Sequence, residues 1–498
     1  MSRVLLLLAL ASTVQAGVIQ GIVLEHLTGR AVSRTWVRLQ SVRQPGMVEP
    51  TPLAIRSGLS GQFSFGGIPP GLYLLTATRD GFFPASYGQR TAVSRGVPIR
   101  VAEDSTLFAE LRLRRKGAIT GRVLDENGVG APGVPVIAYR ARQPLRAANT
   151  ALSDDRGVYR VHGLDPGKYF VRTGGHILED KSMWVATFGP SGRELRDAAV
   201  HSVTVDTDTM YADINPQPGA LYTLAGAVTC GVPGEVIVTA MSDSVTVRAR
   251  TKCEREAGGY AFSGLTPGFY EVFATLEDGS LAAALDTQLY RDIKNADLSL
   301  GPPIPVTFRI NDPNVQVKFL VRRRGTAESE PWLEVKGKVT TLGPGYWEVR
   351  GKAPAGYYVA TIGDSVWARM RRADPPTETY VIHIPPTGQQ TVPVSVQSDP
   401  GRVDGSALTD KSPTPGVAVF LWPVDDSVRR SAGGVLQTLT DTEGRFAFEN
   451  LPPGKYRVVA SAEFYEVDAD VMEAVHAQEI VIKSGGRVSV DLPVWTGP

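Results

Sequence analysis

The chain has few of the residues that carry metal and redox chemistry. Its 498 residues include two cysteines, Cys230 and Cys253, and six histidines. The histidines form no tight cluster along the sequence, and neither His-Glu-x-x-His nor Gly-x-Ser-x-Gly occurs. These absences argue against a zincin-type protease and an α/β-hydrolase. We therefore expect no enzyme activity, no catalytic residue, no cofactor and no metal.

An excess of charge of one sign is also missing. Lys and Arg total 52 against 51 Asp and Glu, a net charge of +1. Basic runs are short, as in residues 112–116 and 322–324, which suits solvated strand edges or linkers. This balance gives no electrostatic case for nucleic acid as a partner. No stretch after residue 16 approaches eighteen consecutive apolar residues, so no transmembrane segment is expected there.

Residues 1–16 have the pattern of a signal peptide. Arg3 supplies the positive region, residues 4–11 the apolar core, and Ala16 the small residue before a cleavage site. The pattern predicts an exported protein, in the periplasm, on the outer surface or outside the cell. An exported chain with two cysteines favours a disulfide between Cys230 and Cys253, worth roughly 3 kcal/mol. The alternative is two buried free thiols.

Glycine and proline are abundant, at 52 and 36 residues, and they mark a segment that occurs five times. In its clearest form a glycine opens a turn, an alternating strand follows, and Pro-Gly makes a second turn before a tyrosine strand. The copies begin at Gly61, Gly157, Gly258, Gly345 and Gly444. The period of about 100 residues is the size of one small β-sandwich.

Further short strands precede and follow each copy, so the sequence predicts an all-β tandem array of about five immunoglobulin- or transthyretin-like β-sandwiches. Short Pro- and Gly-containing junctions predict limited flexing between neighbours. The expected organisation is a signal peptide at 1–16 and sandwiches at 17–115, 116–215, 216–302, 303–397 and 398–498, the third and fourth being degenerate. A helix is expected within residues 466–478, where valines recur every four residues.

The motifs carry a resemblance to a known family. Gly117-x-Ile-x-Gly-x-Val, the Asp-x-x-Gly turn and strand, and Leu-x-Pro-Gly-x-Tyr together resemble carboxypeptidase regulatory-like domains. These are transthyretin-like sandwiches, similar also to B-type repeats of bacterial adhesins. The resemblance implies the accessory domain without its enzyme, because no α/β catalytic domain is present. His176-x-x-Glu179 has the spacing of two zinc ligands, but a four-residue motif in a loop arises readily by chance.

Two kinds of residue are candidates for binding. Loops after the tyrosine strands carry Tyr87, Trp184, Trp367 and Tyr465, whose rings suit sugar faces or protein interfaces. The alternative is that these rings cover the open end of their own sandwich. Trp36 and Trp347 lie on strands and are expected in the core. Acidic residues before the turn glycines, such as Asp154 and Asp441, suggest calcium, but an aspartate there commonly bonds its own backbone.

These observations predict a secreted, non-enzymatic binding or structural protein at the cell envelope, whose partner is an unknown protein or polysaccharide. The alternative function is carbohydrate binding through the loop aromatics. Because each residue of the repeated segment has a folding role, we expect function in the parts that differ between copies.

Overall fold

The computed structural model describes residues 16–496, apart from 43–50, 90–95, 142–144, 146, 179–180, 243–245, 255–256, 325–330, 364–377, 462–463 and 465–466. Strands dominate this part of the chain, and the protein is a tandem series of β-sandwiches, as the sequence predicts. The helices found within it are too short and too polar to cross a bilayer. The described residues divide into two compact units, one made of those up to residue 116 together with 205–207 and the other of the remaining ones from 117 onward.

The first unit contains one sandwich around a core that includes Ile19, Leu39, Phe63 and Leu75. Its sheets have the orders β4-β1-β8 and β3-β2-β5-β6, with β7 beside β5. The strands are β1 Gly17–Glu25, β2 Trp36–Ser41, β3 Leu53–Arg56, β4 Gln62–Ile68, β5 Gly71–Thr78, β6 Ala85–Ser86, β7 Ile99–Val101 and β8 Thr106–Leu113.

The second unit contains four sandwiches, each with a separate hydrophobic core. In the sandwich that follows residue 116, the second of the chain, the sheets have the orders β12-β9-β17 and β11-β10-β13-β16, with a small sheet β14-β15-β18. Its strands are β9 Gly117–Arg122, β10 Pro135–Arg140, β11 Ala147–Leu152, β12 Val158–Leu164, β13 Gly167–Thr173, β14 His176–Ile177, β15 Met183–Val185, β16 His201–Val203, β17 Asp208–Thr209 and β18 Gln217–Pro218.

The third and fourth sandwiches repeat this two-sheet plan. The third consists of β19 Tyr222–Thr229, β20 Gly234–Met241, β21 Thr246–Cys253, β22 Gly258–Leu265, β23 Gly268–Leu276, β24 Ala282–Leu289 and β25 Leu298–Ser299. The fourth consists of β26 Ile304–Ile310, β27 Lys318–Arg323, β28 Leu333–Val335, β29 Val339–Leu342, β30 Gly345–Lys352, β31 Tyr357–Ile362, β32 Tyr380–Ile384 and β33 Gln390–Ser398.

The fifth sandwich carries both described α-helices. Its elements are β34 Gly401–Thr409, β35 Ser412–Pro413, β36 Ala418–Pro423, α1 Asp426–Ala432, β37 Leu436–Leu439, β38 Arg445–Leu451, β39 Gly454–Ser461, α2 Ala469–Ala474, β40 Gln478–Ile482, β41 Arg487–Ser489 and β42 Leu492–Trp495. Helix α2 lies inside the predicted helical segment but is shorter. Asp468 caps it by accepting a hydrogen bond from the Val471 amide, and Met472 is its buried residue.

The tyrosine of the repeated segment has the same bond in four sandwiches. The hydroxyls of Tyr73, Tyr169, Tyr270 and Tyr456 each donate to the carbonyl four residues earlier. Each bond ties the tyrosine strand to the Pro-Gly turn that precedes it. Two of these rings, Tyr169 and Tyr456, are at most 1 % exposed, so the tyrosine serves both the turn and the core.

The fourth copy of the segment lies earlier than the sequence predicts. Strand β30 pairs with β27 and β32, as the tyrosine strands do elsewhere, so Pro344-Gly345 is the Pro-Gly turn and not the start of the copy. The tyrosine position is taken by Trp347, whose Nε1 donates to the Gly343 carbonyl at 2.8 Å, again four residues earlier. The leading turn contains Gly337, at φ 88°, and the next residue, Lys338, accepts from the Phe308 amide as the leading glycines do from the first strand in other copies. The predicted start of the fourth copy at Gly345 was wrong, because a tryptophan stands where the other copies have the tyrosine.

The first long strand of a sandwich contains the second glycine of the Gly-x-Ile-x-Gly-x-Val motif or its equivalent. This glycine lets the strand lie close to the last segment of the same sandwich, which we call the closing segment. A Cβ at Gly21, Gly121, Gly226 or Gly405 would lie between 1.7 and 2.3 Å from a carbonyl oxygen of the closing segment. In the third sandwich the Asp297 carboxylate then accepts from the Ala227 amide at 2.8 Å, and the Tyr260 hydroxyl donates to the Ala296 carbonyl. Burial and the nearby Asp297 carboxylate raise the pKa of Tyr260 to about 12, so this hydroxyl stays a donor at neutral pH.

Cys230 and Cys253 face each other in the third sandwich. Their Cα atoms are 6.0 Å apart and their sulfurs are placed as a disulfide, across 23 residues of chain. Cys253 ends β21 and packs in the core, while Cys230 lies just after β19 and is partly buried. The bridge therefore connects the two sheets of this sandwich.

We expect the Cys230→Ser, Cys253→Ser double variant to lose roughly 3 kcal/mol of stability in the third sandwich, because the cross-link restricts the unfolded chain. Calorimetry of the full chain measures the change, and thiol titration of the denatured, unreduced wild type is expected to find no free thiol. Two titratable thiols in the exported protein would contradict the prediction.

Candidate binding surfaces and the junctions between sandwiches

The loop aromatics predicted to bind a ligand have different surroundings. Trp184 is 9 % exposed and packs in the core of the second sandwich, with its ring 6.3 Å from that of His176. Tyr87 is partly buried against the first core. Trp367 and Tyr465 lie outside the described residues. The two rings that can be placed therefore serve mainly as covers of their own sandwich, which is the alternative that the sequence left open.

A groove of about 250 Å³ lies beside the post-tyrosine loop of the first sandwich. Phe83 forms an aromatic wall, and Lys116 approaches its ring to 5.5 Å. The polar lining residues are His26, Ser86, Gln89, Glu110, Arg112 and Arg114. Arg112 Nε donates to Glu110 Oε1 at 2.6 Å, so part of the positive charge is balanced. The groove offers one ring and several polar groups to a small hydroxylated or acidic ligand.

A broader cleft of about 800 Å³ follows residues 285–297 of the third sandwich. Two of its carboxylates are already used by the fold, because Asp292 accepts from the Thr223 amide and Asp297 from the Ala227 amide, each at 2.8 Å. These bonds hold the closing segment against β19. The cleft is therefore better explained by strand pairing than by ligand chemistry.

The turn aspartates are occupied by backbone amides. Asp154 Oδ1 accepts from Arg156 and Val158, and Asp441 Oδ1 accepts from Glu443 and Arg445. Hydrogen bonds from the backbone, chiefly from Arg445, lower the pKa of Asp441. Across the described ranges, no group of three or more His, Cys, Asp or Glu side chains is arranged to hold a metal ion. His176 is described, whereas Glu179 lies outside the described residues.

Trp36 corrects the sequence interpretation. It was expected in the core, but it is 47 % exposed, and the guanidinium of Arg56 lies 4.6 Å from the centre of its ring. Its neighbours Val37 and Leu39 point inward and are buried, so the alternation of β2 places Trp36 on the outer face. Trp347, by contrast, packs against the fourth core as expected.

A buried ion pair joins the third and fourth sandwiches. Arg323 Nη2 donates to Glu271 Oε1 at 2.8 Å, and the two side chains are 9 % and 4 % exposed. Arg323 also donates to the Pro344 carbonyl at 2.7 Å and stacks 3.7 Å from the Phe273 ring centre. The Tyr346 amide donates to the same Glu271 oxygen at 3.1 Å. We call these five residues the Arg323 junction.

Burial dominates the electrostatics of this junction. Desolvation raises the pKa of Glu271, although Arg323 and the Tyr346 amide oppose the rise. Desolvation likewise lowers the pKa of Arg323, opposed by Glu271. Each group therefore depends on the other to remain charged inside the protein. No sequence signal identifies this pair, because the two residues are 52 positions apart and belong to different copies.

Other contacts fasten the remaining sandwiches of the second unit. Lys168 of the second sandwich pairs with Asp470 and, at 3.3 Å, with Asp468 at the start of α2 in the fifth. The fourth and fifth sandwiches meet where the Gly356 amide donates to Asn450 Oδ1 at 3.2 Å, and where Ser431 of α1 donates to the Val359 carbonyl. Each of these sandwiches has its own hydrophobic core, and polar contacts link the second to the fifth and the fourth to the fifth.

Comparison with known proteins gives one family match and distant structural likenesses. Residues 401–489 match the family described as BOS complex subunit NOMO1-like, second beta sandwich domain. No curated protein matches the chain in sequence. The match covers most of the fifth sandwich and supports a β-sandwich there.

Solved structures with a likeness to this chain include three bacterial pilins. The minor pilin GBS52 of Streptococcus agalactiae is 13 % identical, with 41 % of this chain and 98 % of that chain covered and a TM-score of 0.23. The shaft pilin SpaA of Lactobacillus rhamnosus GG is 12 % identical over 42 % and 99 %, with a TM-score of 0.26. The major pilin BcpA of Bacillus cereus is 11 % identical over 76 % and 99 %, with a TM-score of 0.16. At these scores the likenesses carry no argument about this chain.

Proposed function

We propose that this chain is an exported, non-enzymatic scaffold of carboxypeptidase regulatory-like sandwiches that binds a partner at the cell envelope. The observation that carries the proposal is the Arg323 junction. A buried, hydrogen-bonded ion pair between two sandwiches holds them in one arrangement. A scaffold needs such a fixed arrangement, whereas a loose string of domains has none. The leader-like residues 1–16 and the placement of two cysteines for a disulfide support export.

The repeated residues support a scaffold from a second direction. The signature tyrosines and turn aspartates are hydrogen-bonded within their own sandwiches, and the glycines lie against neighbouring backbone, so these residues have structural roles. What differs between copies is the loop after the tyrosine strand and the outer faces of the sheets. Binding is therefore assigned to these variable surfaces, among which the Phe83 groove and the face around Trp36 are the described candidates.

Cell fractionation tests this proposal. A C-terminally tagged full chain is expected in the envelope fraction or the medium, and deletion of residues 2–16 is expected to retain it in the cytoplasm. The purified protein is then expected to sediment with isolated envelopes and not with cytoplasmic protein aggregates. Cytoplasmic location of the intact chain, or the absence of any envelope binding, would overturn the proposal.

A further inference from the structure

Positive charge is concentrated in the first sandwich. Residues 17–116 contain 13 Lys and Arg against six Asp and Glu, whereas residues 117–498 contain 38 against 45. Residues 17–116 thus have a net charge of +7 and residues 117–498 a net charge of −7. Arg3 supplies the one positive charge that remains in the total. A domain this basic attracts polyanions, and the balance of the whole chain conceals that property.

Part of this charge lies on one outer sheet face. The sheet of β3, β2, β5, β6 and β7 buries Val37, Leu75 and Ala77 on its inner side. Its strands contain three arginines and no aspartate or glutamate. We call the outer side the arginine face, formed by Trp36, Arg38, Gln40, Arg56, Leu72, Leu74, Thr76, Thr78 and Arg100.

The strand register sets the spacing of the cationic groups. Trp36 pairs with Arg56 on one side and Thr78 on the other, and Arg38 lies two residues along the same strand. Two residues of a strand span about 7 Å and neighbouring strands lie about 4.8 Å apart. Arg100, opposite Leu72, is therefore roughly 16 Å from Arg38. Cationic groups at these intervals on an open face suit an extended ligand with repeated anionic groups.

The side chains on this face indicate the chemistry of the ligand. Guanidinium groups pair with carboxylates through two parallel hydrogen bonds. The exposed Trp36 indole offers a flat apolar surface that Arg56 orients from one side, and such rings stack on sugar faces. Gln40, Thr76 and Thr78 lie on the same face as the arginines and carry hydrogen-bonding groups that suit hydroxyls.

We propose that the arginine face binds a carboxylated polysaccharide, with the arginines pairing to its carboxylates and Trp36 stacking on a sugar ring. The inference deepens the proposed envelope function, on which it rests, by naming the ligand class and the surface. It places the contact on a sheet face and not on the loop aromatics.

Binding of the full chain to polygalacturonate tests this assignment. The methyl-esterified polymer is the control, because it has the same sugar backbone without the carboxylate charges. The wild type is expected to bind the acid form more tightly, and to lose affinity as salt is raised. Trp36→Ala and the double variant Arg38→Gln, Arg100→Gln are each expected to weaken binding about tenfold or more. Phe108→Ala is the matched control, because Phe108 is 66 % exposed on the other sheet of the same sandwich; it is expected to bind as the wild type does.

Circular dichroism checks that each variant is folded. Equal binding of both polymers, or unchanged binding by the Trp36 and arginine variants, overturns the inference. Equally tight binding of DNA or of anionic phosphatidylserine vesicles would show a non-selective basic surface and also overturns it. If these variants still sediment with envelopes like the wild type, the inference fails while the proposed function stands; loss of envelope binding by the wild type itself would count against the proposed function.

Discussion

Replacement of Glu271 by glutamine is expected to destabilise the contact between the third and fourth sandwiches by about 3–5 kcal/mol, because Arg323 loses the carboxylate that balances its charge inside the protein. Little solvent reaches this pair to compensate the loss, since the Arg323 and Glu271 side chains are 9 % and 4 % exposed. Because a chain of several sandwiches does not unfold in one step, calorimetry of the full chain should resolve the affected transitions. Limited proteolysis at residues 301–303 is expected to accelerate in parallel.

An exposed ion pair supplies the matched control for this experiment. Arg445 pairs with Glu443, and both side chains are more than 60 % exposed. Glu443→Gln is therefore expected to leave the calorimetric profile as in the wild type, because a solvent-exposed ion pair contributes little to stability. Replacing both buried partners, as Glu271→Leu with Arg323→Met, is expected to recover much of the loss, since no isolated charge remains buried. An unaltered calorimetric profile for Glu271→Gln would show that the pair does not hold the sandwiches together.

Replacement of Gly226 by alanine is expected to cost about 3 kcal/mol or more in the third sandwich, as overpacking against rigid backbone does. The new Cβ would lie 2.2 Å from the Ala296 carbonyl oxygen, so the closing segment has to move away from β19. That movement also breaks the bond between Asp297 and the Ala227 amide. Hydrogen exchange of peptides covering β19 and β25 measures the local loss, which is expected as faster exchange in both strands.

Gly259 provides the control on the neighbouring strand. It lies on β22 opposite Ala227, has an ordinary backbone conformation, and a Cβ there meets nothing within 4 Å. Gly259→Ala is expected to be neutral or stabilising by up to about 1 kcal/mol, because alanine restricts the unfolded chain. Similar exchange rates in the two variants would mean that the close approach at Gly226 is not required.

The fold could be predicted because its markers are local. Turn glycines, Pro-Gly pairs and alternating strands have fixed conformational meaning, and they recur at the length of one sandwich. The fourth copy was misplaced because Trp347 occupies the tyrosine position and two glycines compete for the turn. Trp347 donates the same hydrogen bond as the tyrosines, but a search for tyrosine in the sequence does not find it. The strand pairing of β30 shows that the two positions are equivalent.

The candidate surfaces were less predictable, because alternation does not say which face of a strand is buried. The outer face that carries Trp36 also carries Leu72 and Leu74, so both faces of this sheet contain apolar residues. Trp184 shows the opposite case, since a loop position suggested exposure while the ring is covered by its own sandwich. Glu271 and Arg323 meet only after two copies have folded and packed, and nothing in either copy alone specifies the contact.

The parallel pairing of the first and closing strands has a mechanical consequence. In the first sandwich β1 and β8 run side by side through eight successive registered pairs, from Val18 with Thr106 to Glu25 with Leu113. The chain therefore enters at one end of this strand pair and leaves at the other. A pull on both ends loads the inter-strand hydrogen bonds in shear, so they must break together and not one after another. Such a sandwich resists tension along the chain far better than a hairpin, whose bonds open singly from one end.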